Sequence, residues 1–412
     1  MHWPTWPAAT WAAHILAGRE SLTVTTPTGT GAWRPALVLT IVIAVLSALW
    51  VPTQPAAAAI QVPDVSARGV YAFDLDTGIQ LFAKNEHERM PIGSVVKVVT
   101  ALVTVEHTEL SDKVMIVADD LVDDPLYSNM QLQAGDTLTV SQLLYGLMIP
   151  SGSDAATALA RYVGGILSRS DDPIAQLDAF VAEMNAFVDR HGLENSRFTN
   201  PHGLDAPNNY SSAHDISILS GMLMKNEFLA KVVREPGYSF ISAGPEARQY
   251  QASTTNQLLG EAGVIGIKTG STDDAGGCVV LARQVNNANS TVITAVLGAE
   301  LAYDASGMIT TDERWADASQ LLQFMDTSFA WLPLADAETF VNLPTELAVW
   351  DVQIAGNPTI PVAVREDTQT RYQLALNPDG GGTIDIYYDQ VRVGSLPLEA
   401  ASATSGNVAI AA

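Results

Sequence analysis

The sequence predicts a mixed α/β chain that ends in a smaller all-β part. Three observations carry that expectation. Between residues 62 and 330, strand-like runs of alternating apolar residues interleave with segments whose apolar residues recur every three or four positions. Near Trp331 the helical pattern gives way to short β-rich runs separated by turns such as NPDGGG. Hydrophobic residues make up 47% of the 412 residues and charged ones 16%, a composition that buries a sizeable core and is not that of a disordered chain.

The elements follow in order. Residues 36–51 (ALVLTIVIAVLSALWV) carry no charge, Arg34 stands just before them, and the small-residue stretch PTQPAAAAIQ follows. Within residues 1–61 this describes a secretory signal with a cleavage site near Ala57 to Ala59. The lead before the apolar core is long for a signal, so the alternative is a start codon placed too early or a segment retained as an N-terminal membrane anchor. The core is short for a span, which usually takes about 20 residues. No cysteine follows it, which excludes a lipid anchor on Cys.

Residues 62–90 read as a hairpin: Val70 to Leu75 is strand-like, Asp76-Thr77-Gly78 is a turn, and Ile79, Leu81 and Ala83 alternate again. Helices are expected over 138–165, 174–190, 214–225 and 312–324, with HGL as the stop signal after the second. VIGIKTG, CVVLARQV and STVITAVLG read as strands. LAVWDVQI, IPVAVRE, RYQLALN and TIDIYYDQVRVGSL make up a C-terminal β domain over 335–398. Residues 399–412 read as a flexible tail, with no basic amphipathic stretch for membrane attachment.

Charge and cysteine content exclude several function classes. Lys plus Arg number 21 against 45 Asp plus Glu, a net charge of −24, which disfavours nucleic acid and anionic lipid as partners. The single Cys278 permits no intramolecular disulfide and no Cys-based zinc site, and it reads as a buried inert thiol. There is no HExxH and the histidines are scattered, so neither a metal nor a cofactor is expected. VADDLVDDP (117–125) reads as a solvated acidic turn, and His202 as a structural turn residue.

The stretch PIGSVVKVVTALVTVEH (91–107) poses the chemical question. Its β-branched residues favour a strand, which would send Ser94 and Lys97 to opposite faces. In a helix the two would share a face. A lysine buried among apolar groups loses its preference for the charged form. Such an amine, in reach of the hydroxyl, would serve as the base that activates it. The bland alternative is a serine cap and a lysine that reaches water.

Two further motifs stand downstream. PSGSDAA places Ser151 and Ser153 on a turn entering a helix, and GIKTGST places Lys268, Thr269, Gly270 and Ser271 at a strand end. Each alone is no more than a cap or a strand exit. In this order and spacing the three resemble the signature motifs of the penicillin-binding and serine β-lactamase superfamily. The flanking stretches 132–160, 198–220 and 256–282 are similar to the serine D-alanyl-D-alanine carboxypeptidases, the low-molecular-mass penicillin-binding proteins.

That resemblance implies an α/β (α+β) catalytic domain over 62–330, with an antiparallel sheet flanked by helices, a helical subdomain carrying PSGSDAA, and the C-terminal β domain. It implies export to the cell envelope, peptidoglycan stem peptides as substrate and β-lactam antibiotics as ligands. Ser94 would be the nucleophile, Lys97 its base and Ser151 a proton relay. Ser153, Lys268, Thr269, Gly270 and Ser271 would bind substrate, with the backbone N–H groups of Ser94 and Ser271 as oxyanion donors.

Ser153 departs from the family's usual Asn, a side chain with both an acceptor and a donor pair. That leaves two alternatives beside the carboxypeptidase: an endopeptidase on peptide cross-links, or a wall-binding protein with weakened catalysis. No Glu-x-x-Leu-Asn stretch stands between the second and third motifs, which argues against a β-lactamase. The family's carboxylate-binding Arg is unplaced. Arg314 is a candidate for it, although its place on a predicted helix reads first as a surface position.

Overall fold

The computed structural model describes residues 62–401 except 123–126, 245, 286–287, 289, 355, 357, 366 and 379. The predicted export segment and the residues of the tail beyond 401 lie outside the described residues.

The first strands are β1 (Gly69–Asp74) and β2 (Gln80–Lys84), followed by a 3-10 turn at Gly93–Val96 and helix α1 (Lys97–His107). A short pair, β3 (Lys113–Met115) and β4 (Thr137–Thr139), leads to α2 (Val140–Met148), α3 (Ser153–Ser168) and α4 (Pro173–Arg190). Next come α5 (Ala213–Lys225), α6 (Glu227–Arg234) and the hairpin β5 (Gly237–Ile241) to β6 (Gln249–Ser253). Strands β7 (Val264–Thr272), β8 (Gly276–Gln284) and β9 (Thr291–Ala299) then complete a sheet of order β2-β1-β9-β8-β7, antiparallel throughout.

Alternation assigns the two faces of that sheet. Tyr71, Phe73, Cys278, Val280, Ile293 and Ala295 point into one apolar cluster with α1 to α6. Val70, Ala72, Val279, Leu281, Val292 and Val296 point into a second one. There they meet α7 (Arg314–Ser328), which follows the small pair β10 (Leu301–Tyr303) and β11 (Ile309–Asp312). The mixed architecture with an antiparallel main sheet is the one expected from the sequence. The helices begin at chemically suitable residues: Thr139 and Gln142 form a reciprocal cap on α2, Asp172 caps α4 with Pro173 behind it, and Ser212 caps α5.

Beyond α7 lie β12 (Phe329–Pro333), α8 (Leu343–Val349), β13 (Val352–Ile354), β14 (Thr359–Ala363), β15 (Thr370–Asn377), β16 (Gly381–Tyr388) and β17 (Val391–Ala400). The order β13-β17-β16-β15 forms one sheet and β12-β14 a separate pair. Ile384 and Leu396 share the second apolar cluster with Ile79 and Leu81 of the first hairpin.

Two expectations need correction here. Leu347, Ala348 and Val349, read as part of a β run, end a helix that Pro344 opens in its first turn. The last strand also passes residue 398: Glu399 and Ala400 pair with Gln353 and Val352. Among the described residues, no helix is long and apolar enough to cross a membrane.

Candidate active site

Within the stretch 91–107 the chain is helical from Gly93 to His107, against its β-branched composition. The residues Lys97 to Thr104 are all buried. A helix enclosed on every side gains from bulky apolar residues more than propensity takes away. Gly93, at φ +53°, turns the chain into the short 3-10 segment that carries Ser94. Lys97 opens α1, so its side chain lies over the turn that precedes it. Lys97 Nζ donates to Ser94 Oγ at 2.8 Å, to the His202 carbonyl at 2.7 Å and to Ser153 Oγ at 3.3 Å. It is fully buried, and that burial lowers its pKa from 10.5 to about 7, opposed in part by the charge of Asp154.

The loop that supplies the His202 carbonyl is fixed from both sides. Thr100 Oγ1 on α1 donates to the Pro201 carbonyl at 2.6 Å, and Asn200 Oδ1 accepts the Gly203 N–H at 2.7 Å. The His202 ring is held neutral: burial first, then the Lys97 charge, pushes its pKa down to about 3. His202 thus reaches the site through its backbone, in keeping with a structural reading of its ring.

Strand β7 brings the KTG residues to the same place. Gly270 pairs with Cys278, and Ser271 with Gly277. A Cβ on Gly270 would stand 2.5 Å from the Ile92 carbonyl oxygen and 3.1 Å from the Ser94 nitrogen. A Cβ on Gly93 would stand 3.0 Å from the Ser271 nitrogen. The two glycines therefore let the serine turn and the strand edge meet backbone to backbone, with the Ser94 and Ser271 nitrogens on either side of the contact. Lys268 is buried, and its Nζ donates to the Thr269 carbonyl at 2.9 Å. Burial, then Lys97, then Arg314 lower its pKa well below the ordinary lysine value. Thr269 Oγ1 lies 2.6 Å from Thr255 Oγ1.

The PSGSD turn is not a side-chain cap. Gly152 precedes α3 and no side chain caps it. Ser153 Oγ is the hydroxyl that touches Lys97. Ser151, at φ +67° and buried, has no hydrogen-bond partner for its hydroxyl among the described residues. The anchoring falls to Asp154, which the sequence reading passed over. Its carboxylate accepts the N–H groups of Met130 at 3.0 Å, Leu132 at 2.9 Å and Ala155 at 2.9 Å. Burial raises its pKa against those hydrogen bonds, and its position immediately after the motif was the available signal.

Arg314 is a correction to the surface reading. It is buried, with Nη1 donating to the Gly270 carbonyl at 2.7 Å and to the Cys278 carbonyl at 3.3 Å. Nε and Nη2 meet Asp312 at 2.6 and 2.9 Å. It thus holds the back of the strand edge that faces Ser94. The acidic turn is also corrected at one position: Asp120 is fully buried and accepts from Arg161 Nε at 2.7 Å. Asp123 and Asp124 lie outside the described residues. Cys278 is a fully buried thiol, as expected, with its pKa pushed up to about 11 mainly by burial.

The chain is also similar to known proteins. Residues 56–301 match the family model described as D-alanyl-D-alanine carboxypeptidase. The chain is 33% identical over 249 residues to a D-alanyl-D-alanine carboxypeptidase of Streptomyces sp. strain K15, covering 58% of this chain and 84% of that protein. It is 30% identical over 349 residues to the D-alanyl-D-alanine carboxypeptidase DacC of Escherichia coli strain K12, covering 79% of each. The crystal structure of the Streptomyces K15 DD-transpeptidase superposes with a TM-score of 0.57 at 32% identity, covering 64% of this chain and 98% of that one.

Proposed function

This chain belongs to the D-alanyl-D-alanine carboxypeptidase family, and from that membership we propose that it cleaves the terminal D-alanine from peptidoglycan stem peptides outside the cytoplasmic membrane, through an ester on Ser94. The observation that carries the mechanism is the fully buried Lys97 amine, 2.8 Å from Ser94 Oγ, with a pKa near neutrality. A hydroxyl next to a neutral amine can lose its proton as it attacks.

In the proposed reaction Lys97 Nζ takes the Ser94 proton while Oγ bonds to the carbonyl carbon between the two D-alanines. The oxyanion forms against the backbone N–H groups of Ser94 and Ser271. Donors fixed in place need no reorganisation as that charge develops. Lys268 and Thr269 hold the terminal carboxylate, with Gly270 letting their strand edge lie against the serine turn. The C–N bond breaks, Ser151 relays the proton to the leaving amine, and D-alanine departs. Water then attacks the ester and gives a proton to Lys97, the bond from the acyl carbon to Ser94 Oγ breaks, and Lys97 returns the proton to that oxygen. Ser153 steadies the Lys97 amine. A β-lactam acylates Ser94 by the same first step, its ring amide standing in for the D-Ala-D-Ala bond.

The Streptomyces K15 relative is a DD-transpeptidase, which favours a second use of the same ester, attack by an amine in place of water. Both uses share the acylation step, so that step is tested first. Mass spectrometry of the purified protein with and without penicillin should show one added penicillin in the wild type and none in Ser94→Ala. No adduct in the wild type, or an adduct that survives Ser94→Ala, would overturn the reading. A D-Ala-D-Ala peptide, supplied with and without an amine acceptor, then separates free D-alanine release from transfer.

A further inference from the structure

We propose that His87, His214 and Asp215 form a binding site for a divalent transition-metal ion such as Zn²⁺. Spacing along the sequence gave no hint of it, because His87 lies between β2 and the Ser94 turn, whereas His214 and Asp215 lie in the first turn of α5. Each of the three offers a ligand atom, and these atoms all lie within 4.8 Å of one another. The His87 and His214 ring centres are also 4.8 Å apart.

The fit is closest for the pair on α5. His214 Nδ1 and Asp215 Oδ1 are 3.1 Å apart. Two ligands at about 2.0–2.2 Å from one zinc ion stand roughly 3 Å apart or slightly more, so the separation of this pair already suits one ion. His87 is exposed, and its ring closes the remaining gap by side-chain rotation. Asp215 is already oriented: its Oδ2 accepts the Asn195 N–H and the Ser196 hydroxyl, both at 2.9 Å. Outer hydrogen bonds of that kind are what fix metal-ligating carboxylates. The exposed side leaves room for water as further ligands. Two imidazoles with one carboxylate suit Zn²⁺, Ni²⁺ or Co²⁺ over the all-oxygen preference of Mg²⁺ and Ca²⁺.

Charge separates this cluster from the other one of similar make-up. Around Glu106, His107 and Glu183, Arg190 donates to both glutamates and already supplies the cation. Among the described residues no Lys or Arg bonds to the Asp215 carboxylate.

An ion here would tie the connector leading into the Ser94 turn to α5. It would reinforce the Met90–Ser211 bridge and the bond from the His214 N–H to the Glu86 carbonyl at 2.8 Å. The test uses untagged protein, stripped with EDTA and titrated with Zn²⁺ by calorimetry, beside His87→Ala and His107→Ala. The wild type and His107→Ala should bind a zinc ion that His87→Ala binds at least about tenfold more weakly. At equal zinc concentration the unfolding temperature of the first two proteins should rise more than that of His87→Ala. Zinc binding by His87→Ala equal to the wild type, loss of binding in His107→Ala instead, or no binding by the wild type would each overturn the proposal. None of these readouts depends on peptidase activity.

Discussion

Gly270 faces the backbone nitrogen of Ser94 at a separation that leaves no place for a side chain. A methyl carbon there would lie 3.1 Å from that nitrogen and 2.5 Å from the Ile92 carbonyl oxygen. Gly270→Ala should therefore push the serine turn away from β7 while most of the sheet stays paired. A misplacement of about 1 Å at a reacting group typically lowers rate by about 10²-fold. Stopped-flow acylation by a fluorescent penicillin should show a loss of that order, with a circular dichroism spectrum like the wild type. Unchanged acylation would mean that the strand edge and the serine do not act together.

The lowered pKa of Lys97 fixes the direction of a pH profile. With the folded value near 7, the neutral amine is the minority form in acid. Acylation should rise about tenfold per pH unit below that value and level off above it. The stability consequence has its own sign. Unfolded, this lysine holds its proton up to about 10.5, so between 7 and 10.5 the unfolded chain binds more protons and folding gains from Lys97 as pH rises. Comparing denaturant midpoints of the wild type and Lys97→Met across that window isolates the contribution. A profile flat from pH 5 to 9 would contradict a titrating base.

The sequence shows which side chains carry the site more readily than how they meet. Ser94 and Lys97 are readable as a pair only if 91–107 is helical, and the local composition argues for a strand. What decides is burial on all sides of α1, a property of the packed molecule. The His202 carbonyl has no signature at all, since any residue offers one, and it meets Lys97 across 105 positions. Arg314 was visible as a candidate yet misread as exposed. It opens its helix between the half-buried Glu313 and Trp315, and the guanidinium turns inward to two strand carbonyls. The first hairpin and the three long strands of the sheet needed less context, because short runs rich in apolar and β-branched residues, bounded by turn residues, mark them.

Arg314→Ala should cost stability as well as activity. The substitution leaves Asp312 without its bidentate partner and takes a donor from the Gly270 carbonyl. Breaking a buried ion pair from one side typically costs about 3–5 kcal/mol. Urea unfolding should show a loss at the low end of that range, since Trp315 Nε1 still donates to Asp312 at 3.0 Å. Acylation should fall alongside, because Gly270 and Ser271 lose their support from behind. A variant with wild-type stability would mean that Asp312 is adequately served by Trp315 and solvent.

The two serines of the PSGSD turn should separate under mutation, because only one of them touches the lysine. Ser153 Oγ accepts from Lys97 Nζ at 3.3 Å, while Ser94 and the His202 carbonyl hold the amine more closely. A hydrogen bond to a neutral acceptor contributes about 0.5–1.5 kcal/mol, so Ser153→Ala should slow acylation by roughly tenfold at most. It should also move the acid limb of the pH profile toward lower pH, because the charged amine loses an acceptor. Ser151 has no such contact, and its proposed task begins when the amine leaves. Ser151→Ala should keep the midpoint of the pH profile in place while turnover of a D-Ala-D-Ala peptide drops by about 10²-fold or more, the usual share of a proton-transfer group. If instead Ser151→Ala shifts the midpoint and Ser153→Ala does not, the hydroxyl that attends Lys97 during the reaction is the one that stands apart from it at rest.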